Sequence, residues 1–236
     1  MKLSILIPVR NEEFLIKKII DQLQSKLKIS DYEIIFINDF STDNTAKVTR
    51  ELIKAKPQIN IYDNNKKGLG GAITEGILKA NGDAICIMMS DLSDSIDDLE
   101  KYYNIIKDPN IDAVFGSRFT QGSKIIDYPK KKLILNRIFN IVTKLLFISD
   151  YNDFTNAFKV YKKSALLKTF PLVSESFNVF LELPLKIISR KMKYQIIPIS
   201  WINRKEGASK FDITELRAKY LFTLIYCLLE KLLLKK

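Results

Sequence analysis

The apolar residues of this chain gather in short, nearly unbroken runs at 3–9, 32–38, 59–62, 84–90 and 113–117. Between the runs, apolar positions recur every three or four residues. A run without alternation suits a strand covered on both faces, and the wider spacing marks one face of a helix. Phe14, Leu15, Ile19, Leu23 and Leu27 share such a face, which predicts a helix over 12–28 with Asn11 as its N-cap. Further helices are expected over 45–55, 72–80 and 96–107. Alternation of strand and helix through four strands calls for an α/β fold, a mostly parallel, doubly wound sheet with right-handed crossovers.

Beyond the fifth run the pattern loosens. Residues 121–132 are rich in Gly, Lys, Tyr and Pro and read as a long mobile segment. A strongly apolar helix is expected over 133–147, a strand over 156–162, a helix over 177–189 bent at Pro184, and a last strand over 194–199. The chain closes in a Leu- and aromatic-rich helix from 212. This divides it into one α/β domain, 1–211, and an amphipathic C-terminal helix, 212–236, suited to a membrane interface or a dimer contact. The apolar stretch 220–229 is too short to cross a bilayer, and Glu230-Lys231 interrupts it.

Composition narrows the chemistry. With 236 residues, 47% of them hydrophobic, the chain can bury a generous core. A formal charge of +11 implies a polyanionic neighbour: nucleic acid, an anionic membrane face or phosphorylated substrates. No helix-turn-helix or stacking-aromatic pattern supports nucleic acid. Only Cys86 and Cys227 are present, both in apolar stretches, so a reducing compartment is expected. The short N-terminal run contains Pro8 and meets Arg10-Asn11-Glu12-Glu13 without a cleavage site, which points to a first strand and a protein that is not secreted. The chain contains no histidine. That excludes Ser-His-Asp and Cys-His catalysis and His-ligated zinc, leaving carboxylates, Lys, Arg, hydroxyls and a hard cation.

Candidate residues lie where strands end. Asp39 follows the second run, Asp91 and Asp94 the fourth, and Arg10 and Glu12 the first. In a parallel sheet these ends share one edge, the edge at which ligands bind. Ser93 and Asp94 equally suit a turn and helix cap. Lys66-Lys67-Gly68-Leu69-Gly70-Gly71 suits either an anion at a helix N-terminus or a tight turn with close helix packing, and it matches neither a dinucleotide fingerprint nor a P-loop. Arg118, Arg137, Arg204, Lys205 and Lys210 stand near element ends or in loops, and 204–210 suits a flap over phosphates. Glu182, among Phe180, Leu181 and Leu183, must be a buried ion pair or a site group.

Taken together, Pro8-Val9-Arg10-Asn11-Glu12, the stretch from Asn38 to Thr45, Gly68-Leu69-Gly70, Gly82-Asp83 and Asp91-Leu92-Ser93 resemble family 2 glycosyltransferases of the GT-A fold. Gly116-Ser117-Arg118, Leu135-Asn136-Arg137, Asp153 to Lys159, Glu182 and the stretch from Arg204 to Lys210 look like the dolichyl- or polyprenyl-phosphate sugar transferases. The resemblance covers about 3–211. It implies a Rossmann-like sheet and inverting transfer of a hexose, mannose or glucose, from a nucleotide diphosphate sugar to a polyprenyl phosphate. Pro8, Arg10 and Glu12 would border the nucleotide and Asp39 its base or ribose, with Lys67 and Gly68 alongside. Asp91, with Ser93 and Asp94 nearby, would hold Mg²⁺ or Mn²⁺. Arg118 and Arg137 would grip the acceptor phosphate, and Arg204, Ser209 and Lys210 would close over the diphosphate. Asp153 and Glu182 fall in the acceptor region.

Two departures from the family pattern stand out. Met89 occupies the first acidic position of an expected Asp-x-Asp, and Asn156-Ala157 and Lys159 replace a Gly and an Arg. A thioether is a poor ligand for a hard cation, so a metal-deficient, non-catalytic homologue is one alternative. A glycan or other hydroxyl acceptor in cell-surface polysaccharide synthesis is another, with Asp153 or Glu182 as base. A phosphate acceptor is already an anion, with a second pKa of about 6, and needs no base. The expected setting is the cytoplasmic face of an anionic membrane, held by 133–147 and 221–234 with their flanking lysines, alone or through a second copy or a membrane partner.

Overall fold

The computed structural model describes residues 1–54, 56–203 and 213–234. In chain order these form β1 (Leu3–Val9), α1 (Ile16–Lys26), β2 (Tyr32–Asn38), α2 (Thr45–Leu52), β3 (Ile59–Asp63), α3 (Leu69–Lys79), β4 (Ala84–Ile87), α4 (Ile96–Ile106), β5 (Ala113–Ser117) and β6 (Lys124–Ile126). Then follow α5 (Lys130–Phe147), β7 (Lys159–Lys162), α6 (Lys163–Lys168), α7 (Val179–Ser189), β8 (Tyr194–Pro198), β9 (Ser200–Ile202) and α8 (Ile213–Leu233).

Seven strands make one sheet in the order β3-β2-β1-β4-β7-β5-β8, and β6 and β9 make a separate parallel pair. Every neighbouring pair in the large sheet is parallel except those of β7, which runs against both β4 and β5. All seven residues of β1 are buried, as expected of a strand covered on both sides. Leu3, Ile5 and Ile7 point into a core with α1 and α4, and Leu6 into a second core with α3 and α7. Each such aliphatic side chain removed from water stabilises the fold by about 1.5–3 kcal/mol.

Several boundaries differ from the sequence expectation, each for a local reason. Asn11 is not an N-cap: its φ is 53°, its carboxamide oxygen accepts the Thr42 amide at 2.8 Å, and α1 starts only at Ile16. It ties the turn after β1 to the loop after β2. Helix α3 starts at Leu69, so Gly70 and Gly71 lie inside it and not ahead of it. The segment 121–132 is no open loop, because β6 pairs with β9, a strand that a three-residue run does not announce. β7 begins at Lys159 and not at 156, and Asn156 instead turns the chain, its side chain bonded to Gly116 O and Phe158 O.

The terminal helix is docked against the domain. Leu224 and Cys227 of α8 enter the second core, Thr223 accepts a bond from Asn178 at 2.9 Å, and Arg190 pairs with Glu230. Phe139 of α5 meets Tyr220 edge to face, and Lys231 donates to Phe147 O at 2.5 Å. These neighbouring helices leave Ile134, Leu135, Ile138, Ile141 and Leu145 of α5 and Leu221, Phe222, Ile225 and Leu229 of α8 exposed. Among the described residues, no helix is long and apolar enough to cross a membrane.

Candidate active site

The parallel strands β1, β2, β3, β4, β5 and β8 end at one edge, and the reversed β7 begins there. Register fixes this: Val9 lies beside Asn38, Asn38 beside Asp63, Ile87 beside Lys159, and Ser117 beside Pro198. Asp39, Asp91, Asp94, Arg118 and Asp153 therefore leave the sheet on the same side, as parallel order predicts.

On the β1–β3 side, Asp39 is buried and its Oδ1 accepts from the Gly68 amide at 2.8 Å and the Asn64 carboxamide at 2.8 Å. Gly68 has a φ of 115°, a conformation that costs a residue with a Cβ. The glycine stretch is thus tied to the strand-end acid. Glu12 is buried and its amide donates to Thr45 Oγ1 at 2.8 Å, Pro8 is buried in β1, and Arg10 and Lys67 are exposed at the rim.

In the centre, the turn after β4 carries the acids. Leu92 has a φ of 59°, Asp91 Oδ1 accepts the Ser93 amide at 3.1 Å, and Asp94 forms a bridge with Trp201 of β9. Burial, then the charge of Asp91, pushes the Asp94 carboxyl up to about 7. Two half-buried carboxylates that resist carrying two charges are what a hard divalent cation relieves, and both offer only oxygen. Among the described residues no group of three or more His, Cys, Asp or Glu converges; Asp91 and Asp94 are the residues that would hold a cation here. They fit Mg²⁺ or Mn²⁺ when diphosphate oxygens complete the set. Met89 packs against the second core.

On the β5 side, Arg118 is buried and clamped by Asp153: Nε to Oδ2 at 2.8 Å, Nη2 to Oδ1 at 2.7 Å, and its amide to Oδ2 at 2.9 Å. The Asp153 charge holds the guanidinium firmly protonated against the cost of burial. The Phe119 ring lies under both arginines, 4.5 Å from the Arg137 guanidinium and 5.4 Å from that of Arg118. Tyr128 and Trp201, with ring centroids 5.0 Å apart, also lie near the Arg118 guanidinium, at 5.7 and 5.6 Å. Cations 118 and 137 are brought together as expected, but by aromatic rings and a buried acid that sequence reading did not assign to this task. Arg204, Lys205, Ser209 and Lys210 lie outside the described residues.

In the sequence Lys159 is marked only as a departure from the family pattern. It is buried, and its ammonium bonds to Phe154 O at 3.2 Å, to Asn156 O and to Phe180 O at 3.5 Å. The Phe180 carbonyl is the one that Pro184, lacking an N–H, leaves unpaired in α7. Burial pulls the ammonium down to about 7 against the charge of Asp153. Glu182 resolves as a buried ion pair, 2.8 Å from Lys186, and it also accepts the Val173 and Ser174 amides. A carboxylate in an apolar helix signals such a partner, but not which one.

The Rossmann-like mixed sheet, with acids and cations along its carboxyl edge, is a GT-A-like fold. Comparison with known proteins agrees: the glycosyl transferase family 2 model matches residues 4–170, and the chain belongs to that family. It is 26% identical over 212 residues to dolichol-phosphate mannosyltransferase from Pyrococcus furiosus, covering 89% of this chain and 59% of that protein. It is 23% identical over 220 residues to glycosyltransferase AglD from Haloferax volcanii, covering 90% of this chain and 35% of that protein. The chain thus spans little more than half of the first relative and about a third of the second. In fold it is similar to glucosyl-3-phosphoglycerate synthase from Mycobacterium tuberculosis, determined with Mn²⁺, uridine diphosphate and phosphoglyceric acid, at a TM-score of 0.72 and 15% identity, covering 96% of this chain and 78% of that one.

Proposed function

We propose that the protein moves a hexose from a nucleotide diphosphate sugar to a polyprenyl phosphate at an anionic membrane face, with inversion at the anomeric carbon. The observation that carries this reading is the pairing of Arg118 and Arg137 over Phe119, beside the acids at the strand ends. Two guanidiniums, one locked in orientation by Asp153, make a receptor for a phosphate monoester. The similarity to dolichol-phosphate mannosyltransferase supports the same acceptor class.

In this reading a phosphate oxygen of the acceptor attacks the anomeric carbon from the face opposite the diphosphate. The new C–O bond forms as the bond to the diphosphate breaks, and the electron pair leaves with the diphosphate. No proton moves. Asp39 and the Gly68 turn hold the nucleotide and Arg118 and Arg137 hold the attacking phosphate, while the family resemblance gives the leaving group to Arg204, Ser209 and Lys210. A divalent cation held by Asp91 and Asp94 would supply charge neutralisation at the diphosphate. The exposed apolar side chains of α5 share that helix with Arg137, and Lys130, Lys131 and Lys132 open it, so prenyl chain, phosphate and anionic headgroups would each meet a matching group.

A hydroxyl acceptor would need a general base. Asp153 and Glu182 are both spent in buried pairs, which favours an acceptor that is already an anion. The deciding experiment offers labelled uridine- and guanosine-diphosphate hexoses with polyprenyl phosphate or the unphosphorylated prenol. Transfer only to the phosphate is expected, and equal transfer to the alcohol would overturn the reading.

A further inference from the structure

We infer that Glu182 is a positioning residue for the donor half of the site and not a member of the acceptor region. The inference rests on the nucleotide-sugar reading of the β1–β3 side. Glu182 lies in the first turn of α7, fully buried, and its two oxygens take the Val173 amide at 2.9 Å and the Ser174 amide at 2.8 Å. Lys186 neutralises it at 2.8 Å and also donates to Pro171 O. Segment 171–174 is therefore fastened to α7 by a charged pair, the strongest kind of anchor the interior provides. From the other side, Asn178 and Ser174 meet Thr223 of α8 at 2.9 and 3.4 Å.

What this segment holds is the glycine turn. The Gly70 amide donates to Glu175 O at 3.1 Å, and the two backbones touch so closely that a Cβ at Gly70 would overlap Ser174 O and one at Gly68 would overlap Glu175 O. Gly68 in turn donates to Asp39 Oδ1. A continuous backbone path thus runs from Glu182 through Ser174–Glu175 and Gly70–Gly68 to the acid at the end of β2. Glu182 touches no substrate in this arrangement. Its charge sets the height of the wall against which the nucleotide turn rests, which explains a carboxylate kept in an otherwise apolar helix.

The test is a split between donor and acceptor constants. Glu182→Gln with Lys186→Met removes the pair together, which avoids stranding a buried charge. Loss of the anchor is expected to raise the donor KM, and the Kd for uridine or guanosine diphosphate, about tenfold, with kcat and the polyprenyl phosphate KM within about twofold. The Gly70 amide should also exchange with solvent faster in the variant, with or without ligand. A raised acceptor KM with unchanged nucleotide affinity, or unchanged Gly70 protection, overturns the inference. If the double variant does not fold, Gly70→Ala perturbs the same contact from the opposite side with the charged pair intact, and unchanged nucleotide affinity there overturns it equally. Failure of the underlying donor reading looks different: the wild-type protein then binds neither nucleotide diphosphate, while the exchange measurement still reports on the path.

Discussion

Asp153 grips Arg118 edge to edge across 35 residues of sequence, with two side-chain bonds of 2.8 and 2.7 Å and a third to the arginine's own amide. The acid is completely buried and the arginine nearly so. Arg118 therefore reaches the site with its plane already set. Truncating the acid as Asp153→Ala leaves a guanidinium buried without a counter-ion, and a stability loss of about 3–5 kcal/mol is expected in denaturant unfolding. Arg118→Lys keeps the charge but not the fork, and should lose acceptor affinity while losing less stability. A loss below about 1 kcal/mol for Asp153→Ala would show that the pair is not closed in solution.

Asp94 makes a prediction about pH. Its folded pKa is raised to about 7 from an ordinary 3.8, so between these values the native state holds a proton that the unfolded chain has released. Its favourable contribution is complete below about 3.8 and is lost as pH rises to about 7. Asp94→Asn should therefore raise the melting temperature of the metal-free protein more at pH 8 than at pH 5. Adding Mn²⁺ and a nucleotide diphosphate should stabilise the wild type and fail to stabilise the variant to the same extent. An equal gain at both pH values would contradict the raised pKa.

Arg137 should be separable from folding. It is half-buried on α5 over the Phe119 ring and carries none of the core. Arg137→Ala is expected to leave the melting temperature nearly unchanged and to weaken polyprenyl phosphate by about 10–100-fold, the worth of one charge-assisted hydrogen bond. Donor KM should stay put. Steady-state kinetics with each substrate varied in turn checks this, and a donor-side effect would move Arg137 out of the acceptor site.

The legible part of the site was the part carried by neighbours in sequence. Asp39, Asp91 and Asp94 directly follow apolar runs, so parallel strand order alone sends them to one edge. The family motifs add roles to those positions. Arg118 follows a strand in the same way, while Arg137, inside α5, is marked only by the family resemblance, and the surroundings of both are illegible: Phe119, Tyr128 and Trp201 carry no pattern that marks them as rings around a cation. Lys159 and Glu182 were visible as charges in apolar surroundings, and only their partners told what those charges hold.

By itself, the amino-acid order determined the α/β class, the core faces of most elements, the absence of histidine chemistry and the strand-end acids, because hydrophobic periodicity and residue type act locally. The tertiary structure alone decided that β7 runs against its neighbours, that β6 finds β9, that Asp153 closes on Arg118, and that Glu182 reaches Gly70 through a distant backbone. Each of these joins segments far apart in the chain. Their energy comes from burial and charge pairing that exist only once the whole sheet has formed, so no local pattern records them.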